Sequence, residues 1–119
     1  MPTSPRITDL IEAGLNAAGA RSKAIANNIA NLNTPGYRRT AVQFEDLLAD
    51  ALEDGRPASP GEVQPELFQP MNTPVDERGN DVNLDTEVGE MIRNGSMYKT
   101  YVRLLNKMYR QVELAIRGE

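Results

Sequence analysis

The stretch "AIANNIANLNTPGYRR", from Ala24 to Arg39, decides how this chain is organised. Its first part has the residue spacing of a helix. The helix is expected to end before Pro35-Gly36, because a residue that precedes proline is pushed towards extended geometry and glycine tolerates a turn. Four asparagines crowd this end, although asparagine is a poor helix former whose amide competes for backbone hydrogen bonds. These amides therefore suggest contacts beyond the helix.

The amides of these asparagines could contact another segment or simply face water. Asn27 and Asn31 share a helix face, and Asn28 is also a neighbour of Asn31. An amide both donates and accepts hydrogen bonds, so a row of amides can bind another helix or loop and specify its register. We predict that these three lie in an interface. The remaining asparagine is interpreted as a helix cap that begins the turn Asn33, Thr34, Pro35, Gly36 and Tyr37.

Mostly apolar residues upstream of the turn recur at alternating intervals of four and three residues. They are Ile11, Leu15, Ala18, Ser22, Ile25, Ile29 and Leu32. This spacing is typical of a coiled coil. It predicts an N-terminal coiled-coil helix within residues 1–36, with Ser4 or Thr8 as candidate caps.

A second heptad pattern fills residues 85–119, where Asp85 is the candidate helix cap. Its main row is Tyr98, Val102, Leu105, Tyr109, Val112 and Ile116, and a second row is Tyr101, Leu104 and Met108. The predicted fold is mainly α: the N- and C-terminal heptad helices form an antiparallel coiled-coil hairpin. A single partner helix would leave the second row uncovered, and exposed apolar rows of this kind indicate partners.

The middle, residues 37–84, reads as a short helix followed by an irregular, proline-rich acidic segment of the same domain. Phe44, Leu47, Leu48, Ala51 and Leu52 share one face of that helix, which Gly55 is expected to end. The prolines beyond it exclude a long helix. We interpret that segment as a loop or as short edge strands around Glu66-Leu67-Phe68, with disorder as the alternative.

Charge and residue types argue against catalysis and nucleic-acid binding. Residues 1–39 carry a balance of +3, residues 40–90 of −11 and residues 91–119 of +4, so the chain is acidic overall. It has no cysteine and no histidine, which excludes Cys-based catalysis, His-based acid–base catalysis and the usual zinc sites. A carboxylate pair or a metal site built only from carboxylates stays open on composition alone.

The paired carboxylates Glu45-Asp46, Glu53-Asp54 and Asp76-Glu77 are adjacent and do not face each other on a helix. Residues 79–85 only faintly resemble a calcium loop, because the central glycine and the terminal glutamate are missing. We expect no enzyme, cofactor, metal or small-molecule substrate.

The segment "ANNIANLNTPGYRR" resembles the N-terminal signature of bacterial flagellar axial proteins, a helix that ends in A-x-N-[IL]-A-N-x-[ND]-T-P-G-[YF]. Ala26 to Tyr37 fit this pattern, and residues 79–116 are similar to the C-terminal part of proximal rod proteins. Together the two blocks cover roughly the first 40 and last 40 residues. The resemblance implies a structural subunit of the flagellar basal-body rod, the drive shaft that crosses the periplasm and houses the export channel. Another axial rod subunit or a small helical adaptor or chaperone is the alternative.

The resemblance also implies partners: copies of the chain, other rod proteins, adjoining basal-body base components and the flagellar type III export apparatus. The N-terminus lacks a basic segment followed by an apolar one, so we expect export without a cleaved signal. Phe44 and Leu48 resemble an export motif, with hairpin packing as the alternative. The expected subunit interface is Ile11, Leu15, Ile25, Asn27, Asn28, Ile29, Asn31, Leu32, Tyr98, Val102, Leu105, Tyr109 and Val112.

Overall fold

Two long helices form the frame of the computed structural model, which describes residues 7–53 and 63–118. The elements in chain order are α1 Ile7–Ala30, β1 Ala41–Gln43, α2 Glu45–Glu53, β2 Glu66–Phe68 and α3 Leu84–Arg117. Helices α1 and α3 pack against each other, which confirms the predicted mainly α fold. The helix stop proposed at Gly55 and the cap proposed at Ser4 lie outside the described residues. Thr8 lies inside α1 and is not its cap.

Three residue pairs spaced seven apart set the antiparallel register of α1 and α3. The pairs are Gly14 with Tyr101, Arg21 with Asn94, and Asn28 with Glu87. The aromatic ring lies so close to the glycine that a Cβ atom there would be 2.5 Å from two ring carbons. The other two pairs are hydrogen bonded, at 3.3 Å and 3.1 Å. A small residue and polar residues thus set the register of the seam. Buried apolar residues of α1 alternate with them, namely Ile11, Ala18 and Ile25.

This seam coincides with only part of the apolar rows on which the sequence prediction rests. The ring of Tyr101 packs on α1, so the expectation that its row stays uncovered is wrong for that residue. Tyr98 and Tyr109 of the main row are 49% and 52% exposed. Hydrophobic spacing finds buried Ile11, Ala18 and Ile25 but misses the seam positions that alternate with them, because glycine, arginine and asparagine occupy those positions on α1.

The members of the apolar rows that lie outside the seam share one face of the hairpin. Successive helical residues are rotated by about 100°, so Leu15 and Val102 each point sideways from the seam residue that precedes them. In an antiparallel pair, equal rotations from the seam bring side chains to the same side. We call this side the apolar face. It consists of Leu15, Ile29, Val88, Met91, Tyr98, Val102 and Leu105.

The opposite side of the hairpin carries the small core and the strands. Phe44 and Ala17 have no exposed surface and pack with Val63, while one face of α2 covers them. Strand β1 pairs antiparallel with β2, so the alternative of a short strand at Glu66–Phe68 is confirmed. All three residues of β2 are exposed.

Helix α3 begins one residue earlier than the predicted cap. The side chain of Asn83, whose backbone is extended, accepts a hydrogen bond from the Thr86 amide at 3.0 Å. Asp85 is therefore not the cap but the second helical residue, where its charge still favours the helix dipole. Gly118 ends the helix with a φ of 71°. Within the described ranges, no helix has an apolar stretch long enough to cross a bilayer.

Replacing Gly14 by alanine tests the close contact in the seam. Overpacking of this kind costs about 1–3 kcal/mol, which should exceed the roughly 1 kcal/mol that alanine adds to helix propensity. Gly19→Ala is the matched control, because no atom lies within 4 Å of the added Cβ. We expect the urea midpoint, followed by circular dichroism, to fall for Gly14→Ala and to rise for Gly19→Ala. A rise for both variants would contradict the close packing.

Candidate functional site

The turn that follows α1 is held by a segment that comes much later in the chain. Asn80 is 2% exposed, and its amide nitrogen lies within 2.9 Å, 3.3 Å and 2.8 Å of the carbonyl oxygens of Asn31, Leu32 and Thr34. These three residues follow Ala30, the last residue of α1. Asn80 therefore holds the turn after α1 from a position almost fifty residues later in the chain.

Two glycines allow the turn and this later segment to cross. Gly36 has a φ of 75° and donates its backbone N–H to the Arg78 carbonyl at 2.8 Å. A Cβ atom added to Gly79 would lie 3.7 Å from the Cα of Gly36, and Gly79 itself has a φ of 78°. Helix α1 ends at Ala30, earlier than the predicted break before Pro35-Gly36. The Pro35-Gly36 step instead shapes the turn and admits a neighbouring backbone.

Asn28 is the fully buried centre of the site. Its oxygen accepts from the Thr40 amide at 2.9 Å and from the Tyr37 hydroxyl at 3.0 Å. Its nitrogen donates to the Thr40 carbonyl at 2.9 Å and to a Glu87 oxygen at 3.1 Å. These four bonds use the whole hydrogen-bonding capacity of one amide. One side chain thus joins α1, the segment that leads into β1, and α3.

Two buried carboxylates continue the network from Asn28. Glu87 accepts from the Arg39 guanidinium at 2.8 Å, and its side chain has no exposed surface. Asp81, equally buried, accepts from the Arg38 guanidinium at 3.1 Å and from the Arg39 backbone amide. A buried charge requires such pairing. The two arginines that follow Tyr37 therefore attach the turn to the start of α3.

A second polar network joins α1, α2 and α3 around Arg21. Its guanidinium donates to Glu45 at 2.8 Å and to the Val42 carbonyl at 3.2 Å, while the Tyr101 hydroxyl lies 3.4 Å from Glu45. Burial opposes ionisation of Glu45, but the hydrogen bonds and positive charge of Arg21 outweigh it and hold the pKa of Glu45 below its usual value. Burial and the charge of Glu45 raise the pKa of Tyr101.

The asparagines that were assigned to an interface make contacts inside the subunit. Asn31 donates to the Asn27 carbonyl at 2.8 Å and accepts from the Thr34 hydroxyl at 3.0 Å. Asn27 is exposed and donates to the Tyr37 hydroxyl, whereas the carbonyl of exposed Asn33 accepts from Arg78 at 3.1 Å. Asn28 has no capacity left for a second subunit. The proposed subunit-interface role of the others stays a prediction.

The apolar residues of the expected interface differ in burial. Ile11 and Ile25 are buried, and Leu15, Ile29, Leu32, Val102 and Leu105 are partly buried; the exposed members are Tyr98, Tyr109 and Val112. Phe44 has no exposed surface and Leu48 packs against its cluster. This agrees with the packing alternative, and an export role for the pair stays a prediction.

The polar groups of the site are arranged for structure rather than for reaction. Asp81, in the segment that faintly resembles a calcium loop, is occupied by Arg38 and Arg39. Among the described residues, no group of three or more carboxylates could hold a metal ion. Sequence reasoning missed Asn80, Asp81 and Glu87. The similarity of residues 79–116 to rod proteins covers these three residues, but a sequence similarity does not show which residues they contact.

Comparison with known proteins decides the family. Residues 12–38 match the family model described as flagella basal body rod protein. The chain is 31% identical over 113 residues to the flagellar basal body rod protein FlgB of Cereibacter sphaeroides, which covers 83% of this chain and 84% of that protein. The chain belongs to the flagellar basal body rod protein family.

The similarity of this rod-family chain to FlgB extends over most of its length. FlgB of Bacillus subtilis is 29% identical over 117 residues, 91% of each chain. The flagellar basal-body rod protein FlgG of Agrobacterium fabrum is 51% identical, but over only 35 residues, 29% of this chain and 13% of that protein. Membership of the family makes this chain a structural flagellar protein and not an enzyme.

Replacing Asn28 by aspartate tests the centre of the site. The isosteric carboxylate cannot donate to Thr40 and places a negative charge against Glu87, so we expect a loss of about 3 kcal/mol in the free energy of unfolding. Asn27→Asp, one residue earlier and exposed, should cost less than about 1 kcal/mol. Denaturant unfolding of both variants measures the difference. Equal losses of unfolding free energy in the two variants would contradict a special role of the buried Asn28 amide.

The network around Arg21 predicts a pH dependence. Because the pKa of Glu45 is lowered in the folded chain, its contribution is present above the unfolded pKa, about 4.3, and is lost as the pH falls through the folded pKa. The stability difference between the native chain and Glu45→Gln should therefore be clear at neutral pH and shrink below about pH 4. Glu53→Gln is the control, because it removes an exposed carboxylate of α2 that has no ion pair with another described residue. Urea unfolding at both pH values measures each difference.

Proposed function

We propose that this chain is a structural subunit of the proximal part of the flagellar rod. Copies assemble through their terminal helices into the drive shaft that transmits torque and surrounds the export channel. The observation that carries the proposal is the apolar face of the hairpin, which the described segments leave partly exposed.

Part of the apolar face has the spacing of an unpaired coiled-coil seam. Along α3 the row Leu84, Val88, Met91, Gly95, Tyr98, Val102, Leu105, Tyr109, Val112 and Ile116 alternates by four and three residues over the whole helix. Val88, Met91 and Tyr98 are each more than 40% exposed in the single chain. Each large side chain that a neighbour buries contributes roughly 1.5–3 kcal/mol, so docked helices would supply the burial that one chain lacks.

Torque transmission requires that each subunit keep its shape under load. The paired network from Asn28 to Asp81 and the Arg21 network support this role, because fully satisfied buried polar groups specify one arrangement. Both networks lie between elements, so they join the hairpin to the turn and to α2. The apolar face is then presented by a stiff frame.

The partners follow from this placement. They are copies of the chain, other rod proteins and base components of the basal body, with the subunits lying in the periplasm. The flagellar type III export apparatus would deliver them, and export without a cleaved signal remains a prediction. The extent of the FlgB similarity favours this function over another axial rod subunit. A small adaptor or chaperone is the remaining alternative.

Placing a charge on the apolar face tests the proposal. Tyr98→Asp introduces a carboxylate that a neighbouring helix would bury without a partner, so rod assembly and swimming should be lost. Thr100→Asp is the matched control, because it lies on the opposite side of α3 and is also exposed. Tyrosine and threonine have similar helix propensity. Both variants should therefore show the same small loss of helix content by circular dichroism.

Electron microscopy of basal bodies and swimming assays give the answer. Normal rods in the Tyr98→Asp strain would contradict assembly through this face. If the chain were an adaptor, it would be absent from the rods. Detection of a tagged copy of the chain in purified basal bodies distinguishes the two functions.

A further inference from the structure

Exposed charges of opposite sign form two helical rows on different parts of this chain. We propose that the acidic row of α2 in one copy docks in parallel against the basic row of α3 in the next copy. This inference rests on the proposed function, because it names a second surface through which assembled copies would meet.

The basic row is Arg103, Lys107 and Arg110 on α3. All three side chains are exposed, and none has an ion pair with another described residue. Arg103 follows the seam residue Tyr101 by two positions, about 200° around the helix. The row therefore points away from α1 and is separate from the apolar face.

The acidic row is Asp46, Asp50 and Glu53 on α2. These residues are exposed and, within the described ranges, take part in no ion pair. The other side of the same helix is anchored, since Leu47, Leu48 and Ala51 pack against the core. The row is thus held in a definite direction by apolar contacts beneath it.

The two rows have the same spacing, four residues and then three. Parallel docking brings all three charges of each row into register: Arg103 lies near Asp46, Lys107 near Asp50, and Arg110 near Glu53. Antiparallel docking opposes intervals of four and three to intervals of three and four. Pairing Arg103 with Glu53 and Arg110 with Asp46 then leaves Lys107 and Asp50 out of register by one residue. Single exposed ion pairs contribute little, but three in register supply orientation and partner choice.

The position of the rows argues for a second copy as the occupant. One chain carries both rows, on two different helices. Two docked copies therefore retain one unpaired acidic row and one unpaired basic row. Such a head-to-tail contact continues as an open helical stack instead of closing into a dimer. Nucleic acid or an anionic membrane surface would bind only the basic row and would leave the acidic row unpaired.

Disulfide trapping tests the docking, because the native chain has no cysteine. Asp50→Cys and Lys107→Cys are introduced together, and mild oxidation is applied to purified basal bodies that contain the variant. We expect disulfide-linked multimers on a non-reducing gel. Glu77→Cys with Lys107→Cys is the control, since Glu77 is an exposed acidic residue outside the row. Its multimer yield should be about fivefold lower.

Charge reversal in the trapping variant tests the pairing itself. Arg103→Glu with Arg110→Glu should lower the multimer yield about fivefold, and adding Asp46→Lys with Glu53→Lys should restore it. Basal bodies that contain the variant but yield no multimers, or equal yields from the control, would overturn the docking and leave the proposed function intact. The same holds if reversal has no effect. Absence of the unmodified chain from basal bodies would overturn the proposed function instead.

Discussion

The buried amide of Asn28 is the interaction on which the other contacts of this chain depend. It satisfies both backbone groups of Thr40, the hydroxyl of Tyr37 and one oxygen of Glu87 at the same time. The chain leaves α1, turns at Pro35-Gly36 and returns as β1 beside the same helix. The Asn28 amide joins the end of α1 to the residue that precedes β1. Without it a buried carboxylate and two backbone groups would lose partners in a site that water does not reach.

The polar seam explains why the apolar residues of the hairpin remain available to neighbours. Glycine, arginine and asparagine on α1 meet tyrosine, asparagine and glutamate on α3, so internal register is set by shape and hydrogen bonds. The apolar residues outside the seam lie to one side of it and stay partly exposed, whereas Ile11, Ala18 and Ile25 are buried in it. Internal folding therefore uses the polar pairs and these buried residues, and external association uses the apolar residues beside them. This separation suits a subunit that must be ordered by itself and still adhere to others.

Charge segregation along the chain has two structural consequences. The buried carboxylates Asp81 and Glu87, from the acidic middle, form ion pairs with Arg38 and Arg39. A buried charge requires such a partner. The remaining acidic residues of α2 and the basic residues of α3 stay at the surface. The first consequence stabilises the turn that characterises the rod family. The second leaves complementary rows, from which the docking of successive copies is inferred.

The sequence by itself determined the two terminal helices, the turn at Pro35-Gly36, the short helix that follows Phe44 and the family. These features follow from local spacing, from proline and glycine geometry and from a recognisable signature. Only the tertiary structure decided which rows meet, because hydrophobic periodicity points to Leu15 and Val102, while the seam one residue earlier holds Gly14 and Tyr101. It also decided the roles of Asn80, Asp81 and Glu87. Their partners lie more than forty residues away, and no local pattern encodes a hydrogen bond between such distant segments.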